Sequence, residues 1–445
     1  MRAFCILGIA SLLVACSDAP SEASSASSGA GGGTALPSSS KPLCTSGALP
    51  TGGIPSARAD SAAALREDGF ELVMFGGDEA IVVCGDAPKR QHVGDTWVLD
   101  TACGGWTKLD LVGPSPRARH VMVSDLVRKR ALVFGGRYRD AGKTGNYTLY
   151  DDVWAFEFAS RTWTKLSTTG SGPSPRANSA AILDGDTLWV FGGTTASSAL
   201  VFAPTNDLYA LDLVKNEWRH VDAGGAVPSK RLFHAMAAEP QSHRGFLAYG
   251  GDENAFVGPF FNDLYELDLV TTTWTKLAAT QPEGFDFGRI KLGLSARSPK
   301  PGEAMQLVAF GGHDDVNGST ALGNRNDVLT LNLGPATESP KPGSLAWQHP
   351  IAGDTFSRGP TAQCAFPADF VVPDAASIER RSSFAFAPHA TGEAFVVFGG
   401  DSDCGRLSDA WWFDTRKGTW TPIVESLPGL TCPRTGNLDC KSLCN

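Results

Sequence analysis

Apolar and polar side chains alternate in short runs along this chain. Asn206-Asp207-Leu208-Tyr209-Ala210-Leu211-Asp212-Leu213 shows the pattern. A two-residue period puts one set of side chains on each face of a pleated strand. No long stretch combines helical periodicity with caps at both ends, so no long helix is predicted. An aromatic-Gly-Gly triplet recurs six times: Phe75-Gly76-Gly77, Phe134-Gly135-Gly136, Phe191-Gly192-Gly193, Tyr249-Gly250-Gly251, Phe310-Gly311-Gly312 and Phe398-Gly399-Gly400. The first five fall at intervals of 57 to 61 residues and the sixth after 88, so the last interval carries an insertion. Each unit has one grammar. A Pro-Arg-like start leads into an apolar strand, and a second strand ends in the triplet. A loop follows, then a third strand opened by an acidic residue, as in Asp95-Thr96-Trp97, Asp152-Val153-Trp154 and Asp263-Leu264-Tyr265. A fourth strand is opened by Trp106, Trp163, Trp218, Trp274, Trp347 or Trp420. Four short strands per period predict one antiparallel blade per unit, and six blades in a ring.

These residues closely resemble the kelch repeat, with an Arg near the first strand, a double glycine closing the second, a Tyr-Asp-like third strand and a Trp on the fourth. The resemblance covers residues from about 54 to 424. It implies an all-β, six-bladed kelch-type β-propeller with four antiparallel strands per blade. Unit five departs most, with a degraded start at Arg289 and a proline-rich stretch from Gly334 to Ser344 before Trp347. The second glycine is expected where a Cβ would clash or meet an unfavourable φ. The preceding ring and the Trp are expected to fill the wedge between adjacent blades. No triplet is followed by a helix start with Lys-Ser/Thr, so they do not read as phosphate loops.

Strand order fixes which connections share a face. In a blade a–b–c–d, the d–a and b–c connections lie on one side, and the a–b and c–d turns on the other. The turns are short, as at Leu126 to Lys129 and Lys215 to Asn216. The b–c loops are long: Arg137 to Tyr150, Thr194 to Asn206, Asp252 to Asn262 and His313 to Asn326. Long loops on one face of a rigid scaffold are where recognition concentrates. Candidate ligand-binding residues are therefore Tyr138, Arg139, Tyr147, Phe256, Phe260, Phe261, His313, Asp315 and Arg325, a set suited to a protein, peptide or glycan. Arg58, Arg117, Arg176, Arg231, Arg289 and Arg381 open the first strands on the same face. In the kelch family this position is often structural, satisfying loop carbonyls. If Arg117, Arg176 and Arg231 point inward, they ring the pore mouth and attract an acidic group. His120 and His234 read as packing residues. Acidic pairs after the double glycines, such as Asp78-Glu79 and Asp314-Asp315, read as solvated turns, with bound calcium as the rival.

The formal net charge of −9 is interleaved, without a basic stripe, which argues against nucleic acid as a partner. The N-terminus changes the picture more. Arg2 precedes the apolar run Phe4 to Leu13, too short to span a bilayer, and Leu13-Val14-Ala15-Cys16 resembles the bacterial lipobox. The resemblance implies a lipoprotein signal peptide over 1–15, acylation of Cys16 and, because Ser17 is not Asp, an outer-membrane destination in a bacterial envelope. An ordinary secretory peptide is the alternative. Residues 16–42 are poor in large apolar side chains and read as a flexible lipidated tether. The propeller is expected over 43–430 and a Cys-rich tail over 431–445.

Eight further cysteines in an exported chain point to disulfides. The repeats suggest pairing Cys84 with Cys103, which share a unit, and Cys364 with Cys404 in the last one; sequence alone does not fix the pairing. Cys44, Cys432, Cys440 and Cys444 lie at the two ends, where the tail is expected to be linked to the body. Ring closure is left open between a segment near Leu43 to Pro50 and the tail. Neither a metal nor a cofactor is expected: Cys432, Cys440 and Cys444 lack CxxC spacing, and GxSxG, HExxH and paired-carboxylate signatures are missing. Kelch propellers include galactose oxidase, but the chain has no Tyr-His pair for such a copper site. The leading expectation is a monomeric, lipid-anchored binding or scaffold module recognising a protein, peptide or glycan through its b–c loops. The alternative is an envelope carbohydrate-active enzyme of sialate-mutarotase or lyase type.

Overall fold

In the computed structural model, residues 41, 43–44 and most of 53–425 are described, apart from 82–88, 315–322, 336–344, 356–370 and a few shorter gaps. Every regular element among them is a strand. Blade 1 contains β1 (Ala62–Leu65), β2 (Glu71–Ile81), β3 (Lys89–Asp100) and β4 (Gly105–Leu109). Blade 2 contains β5 (Val121–Asp125), β6 (Arg130–Phe134), β7 (Val153–Glu157) and β8 (Thr162–Lys165). Blade 3 contains β9 (Ala180–Asp184), β10 (Thr187–Phe191), β11 (Leu208–Asp212) and β12 (Glu217–Val221). Blade 4 contains β13 (Ala235–Glu239), β14 (Arg244–Ala248), β15 (Leu264–Asp268) and β16 (Thr273–Leu277). Blade 5 contains β17 (Gly293–Arg297), β18 (Met305–Phe310), β19 (Val328–Gly334) and β20 (Gln348–Ile351). Blade 6 contains β21 (Ala385–Pro388), β22 (Ala394–Ser402), β23 (Gly405–Asp414) and β24 (Thr419–Val424). Within each blade the four strands are antiparallel and in sequence order.

One contact between neighbouring blades recurs six times. The Trp of each outer strand packs on an aromatic ring of the preceding blade. Trp163 meets Phe75 at 5.3 Å between centroids, Trp218 meets Phe134 at 5.6 Å, and Trp274 meets Phe191 at 5.3 Å. Trp347 meets Tyr249 at 6.2 Å and Trp420 meets Phe310 at 4.7 Å. Trp106 of blade 1 completes the cycle on Phe398 of blade 6, at 5.0 Å. Sheets that would each leave a face wet thus cover one another.

Among the described residues ring closure uses no exchanged strand; positions 45–50 and the tail, where a clasp was expected, lie outside them. Blade 6 docks directly on blade 1: Arg58 donates its N–H to Leu407 O (3.1 Å) and accepts from Gly400 N–H (2.9 Å). β1 lies beside β21.

The double glycines behave as expected in five blades. Gly76 and Gly77 have φ of 64° and 111°, and a Cβ on Gly77 would stand 2.8 Å from Ser61 Cβ. Blade 4 corrects the sequence reading. Its strand register pairs Ala248 with Leu264, as Phe310 pairs with Val328, so Ala248 takes the place of the aromatic residue. Tyr249, at φ 62°, takes the place of the first glycine, and Gly250, at φ 110°, the second. The apparent triplet is shifted by one residue, and the Tyr249 ring reaches the wedge from a left-handed backbone position that suits few side chains.

Cys103 is bonded to Cys44, not to Cys84. It sits in the turn between β3 and β4. Cys84, Cys364, Cys404, Cys432, Cys440 and Cys444 lie outside the described residues, as do Cys16 and the tail.

Candidate functional site: the pore mouth

The first strands of the blades surround a central cavity of about 340 Å³. Its walls are largely small or aliphatic, including Ala62, Val121, Ala181, Met236 and Leu294. At the loop-side mouth, the residue two positions after each strand-opening Arg turns left-handed. These six are Asp60, Arg119, Asn178, Phe233, Lys291 and Ser383, with φ between 55° and 59°. They are linked head to tail by their backbones. Arg119 N–H donates to Asp60 O (2.8 Å), Asn178 to Arg119 (3.1 Å) and Phe233 to Asn178 (3.1 Å). Lys291 donates to Phe233 (2.9 Å), Ser383 to Lys291 (3.3 Å) and Asp60 to Ser383 (2.7 Å). The circuit is closed. A left-handed backbone costs a non-glycine residue of order 1 kcal/mol or more, and six such residues at one point mark a place where geometry is imposed by its surroundings.

Each of the six side chains faces a shared mouth. Asp60 accepts from Arg119 Nε at 2.8 Å. Burial pushes the Asp60 carboxyl up, but the charges of Arg119 and Lys291 outweigh that and hold it well below the usual carboxylate range. The Arg119 guanidinium and the Lys291 ammonium both lie 5.1 Å from the Phe233 ring centre. Arg119, Asn178 and Ser383 are less than a tenth exposed, yet Arg119 Nη1, Asn178 Nδ2 and Ser383 Oγ have no hydrogen-bond partner among the described residues. The same holds for neighbouring Ser61 Oγ. Buried polar atoms left this way are costly unless water or a ligand meets them. These four line the cavity, and all can donate.

A second tier surrounds the mouth. Asp78 pairs with Arg406 at 3.2 Å, and Arg406 with Asp401 at 3.0 Å, tying blade 1 to blade 6. His92 Nδ1 bonds to Arg139 O at 3.1 Å, and its ring meets Tyr138 and Tyr147 edge-on. Arg137 and Arg139 lie 3.9 and 4.3 Å from the Tyr147 ring centre. Arg325 is paired with Asp314 and lies 4.9 Å from the Phe287 ring centre.

The proposed binding residues fare unequally. Arg117, Arg176 and Arg231 are essentially unexposed and do not ring the mouth. Each forms a two-pronged ion pair with the Asp opening the third strand of its own blade: Arg117 with Asp152, Arg176 with Asp207 and Arg231 with Asp263. Each also donates to a carbonyl at the double-glycine position: Gly135, Gly192 or Tyr249. Arg58, Arg289 and Arg381 repeat this with Asp95, Asp327 and Asp409. This is the structural role the resemblance implied. Phe260 joins Phe202, Leu232, Phe233, Ala255 and Ile290 in a small core beneath the loops, and Tyr147 is buried by its arginines. Tyr138, Arg139, Phe261 and His313 keep partial exposure on the loop face, and Arg325 is buried beside them. Phe256 and Asp315 lie outside the described residues.

Sequence reasoning missed the mouth itself. His120 and His234 pack as expected, edge-on against Phe75 and Phe191. Burial and the adjacent Arg117 or Arg231 push both imidazoles down to about 3. No group of three or more metal-ligating side chains occurs among the described residues.

Six four-stranded blades, each stitched by a buried Arg–Asp pair around one pore, define a kelch-type β-propeller. The comparisons agree, and the chain belongs to the kelch-repeat family. The family model described as KLHDC2/KLHL20/DRC7 Kelch-repeats domain matches residues 78–286, and the Kelch motif model matches residues 384–425. Among curated proteins, acyl-CoA-binding domain-containing protein 4 of Arabidopsis thaliana is 28% identical over 236 residues, covering 50% of this chain and 31% of its own length. Kelch domain-containing protein 10 of Xenopus tropicalis is 30% identical, covering 38% of this chain and 40% of its own length. The chain therefore spans less than half the length of these relatives. A solved structure described as "Structure of YjhT" matches with a TM-score of 0.55 at 14% identity, covering 84% of this chain and 99% of that one, a likeness of fold.

Proposed function

We propose that this propeller is a non-catalytic binding module. Its ligand is a protein, peptide or glycan that docks on the b–c loop face and sets an acceptor-bearing group, such as a carboxylate, into the pore mouth. Propellers of this family typically serve as protein-binding scaffolds, which sets the class. The observation that carries the finer reading is the set of buried donors on Ser61, Arg119, Asn178 and Ser383, which line the mouth without partners among the described residues. Tyr138, Arg139, Phe261 and His313 supply the surrounding contact surface. The lipobox-like Leu13-Val14-Ala15-Cys16 extends the reading to a module tethered through Cys16 at a bacterial envelope.

The enzyme alternative gains no support. Acid–base chemistry at neutral pH needs a group that titrates nearby. Burial depresses His92, His120, His234 and His313, and Arg119 keeps Asp60 ionised.

Peptide and glycan arrays rich in carboxylates test the reading. Asn178→Ala and Ser383→Ala are expected to weaken a captured ligand by about tenfold each, the usual size of one lost buried hydrogen bond. Array binding that is unchanged by both substitutions would show that the mouth is not the recognition point.

A further inference from the structure

The cavity behind the pore mouth leaves apolar surface uncovered. Val121, Val123, Ala181 and Leu183 belong to the cluster between blades 2 and 3, Ala62 to that between blades 1 and 2, and Leu292 to that between blades 4 and 5. Unlike the buried members of those clusters they stay partly exposed, and all six line the cavity. Ser124, Ser179 and Ser295 interrupt this wall, and Ser124 Oγ is already bonded to Leu65 O at 2.8 Å. Apolar cavities hold water poorly and take up apolar ligands.

The entrance is charged instead. Among the described residues, Asp60, Arg119 and Lys291 are the carboxylate, guanidinium and ammonium groups that line the cavity. Burial keeps the neighbouring imidazoles of His120 and His234 neutral. Two cations against one carboxylate give the entrance a positive balance, which favours an anion. A charged entrance over an apolar interior fits an amphiphile, with its acid at the mouth and its tail behind.

The mouth also limits the shape of that tail. Six stations joined by backbone hydrogen bonds of 2.7 to 3.3 Å form the ring. With neighbouring Cα atoms about 5 Å apart, such a ring is about 10 Å across, and van der Waals radii leave about 6 Å clear. That opening admits one unbranched chain. From Asn178 at the mouth to Leu183 the wall runs for about 16 Å at strand rise, and an extended chain advances about 1.2 Å per bond, so about ten to twelve carbons fill it.

We infer that the channel binds a medium-chain aliphatic carboxylate, head at the mouth beside Arg119 and Lys291, tail along Val121, Val123, Ala181 and Leu183. This rests on the reading of the mouth as an acceptor site and adds a small-molecule occupant for the space behind it. The acid is a ligand distinct from whatever docks on the b–c loops.

Isothermal titration of the full chain with hexanoate, octanoate, decanoate and dodecanoate, each below its micelle concentration, tests this. Each added methylene is expected to tighten binding about fourfold. Decyltrimethylammonium, a tail of the same length on a cation, is expected not to bind. Decanoate bound no more tightly than hexanoate, or no more tightly than the cationic amphiphile, overturns the inference. Ala181→Phe narrows the channel and is expected to weaken decanoate about tenfold. If near-ultraviolet dichroism shows that variant unfolded, Lys291→Met gives the reading at the head, with a loss of about tenfold expected. Decanoate affinity untouched by Lys291→Met places the acid elsewhere and overturns the inference. The carboxylate-rich arrays read the mouth separately. Array capture alongside a flat acid series overturns the channel ligand alone, and a steep acid series without array capture overturns docking on the loop face alone.

Discussion

His120 and His234 show how a single side chain carries an acid limit for the fold. Each is buried against the ring of the preceding blade and stays neutral when folded, with its imidazole pushed down to about 3 by burial. In the unfolded chain both return to about 6.5. Between those values the unfolded state binds more protons, so stability is complete above about pH 6.5 and is lost as pH falls toward 3. The slope is about 1.4 kcal/mol per pH unit for each histidine. Denaturant titrations from pH 7 to 4 should therefore be flatter in a His120→Phe, His234→Phe variant than in the native chain. The carboxylates held low by arginines, Asp60 and Asp327, act mainly below this window. At this scale the sequence was partly legible. The strand-opening arginines and the two histidines could be given structural roles from the repeat, and the structure gives them those roles. The six mouth residues could not be seen, because Asp, Arg, Asn, Phe, Lys and Ser share no chemistry. Their only common signal is a position two residues after an Arg.

The blade is the next scale, and its energetic unit is the Trp that leaves its own sheet to cover its neighbour's. Trp218 is buried and joins a cluster with Leu132, Phe134, Leu188 and Leu211. Trp218→Ala is expected to cost about 3–5 kcal/mol in urea unfolding, because blades 2 and 3 lose their shared indole and cannot close the gap. Trp420, only half-buried on blade 6, should cost less on the same measurement. Strand boundaries were readable from the alternation and the double glycines because those features are local. The shift in blade 4 was not, because Tyr249-Gly250-Gly251 copies the triplet in letters but not in register. A partial signal is arithmetic, and it fails in blades 3 and 5, where Arg176 and Arg289 reach carbonyls 16 and 22 positions ahead. Arg58, Arg117 and Arg381 each donate to the carbonyl 18 positions ahead, and Arg231 with Tyr249 keeps that count. Disulfide partners were beyond reach for a related reason: Cys103 pairs with Cys44, 59 positions earlier in a leading segment outside the repeat, and the repeat does not say where that segment lies.

For the whole molecule, closure among the described residues is made by packing and backbone bonds between blades 1 and 6. Cys44–Cys103 joins a leading segment to blade 1 and spans no blade boundary. Reduction is expected to leave the near-ultraviolet dichroism of the folded propeller intact, and non-reducing peptide mapping should recover the Cys44–Cys103 pair. A reduced protein that lost its tertiary signal would place closure elsewhere. Six instances of one motif made the circular plan plain from letters alone. How the ends meet was not plain, since nothing in a linear repeat states whether its first and last copies touch.

The head-to-tail backbone circuit at the pore mouth has a consequence for how such a protein changes its preferences. Residues as unlike as aspartate, phenylalanine and lysine occupy equivalent stations with nearly the same φ, so the frame accepts side chains of very different chemistry there. The ladder that holds each station is made by main-chain atoms and is blind to what hangs from it. Selectivity can therefore be rewritten like the tumblers of a lock, one position at a time, while the barrel that houses them stays as it is.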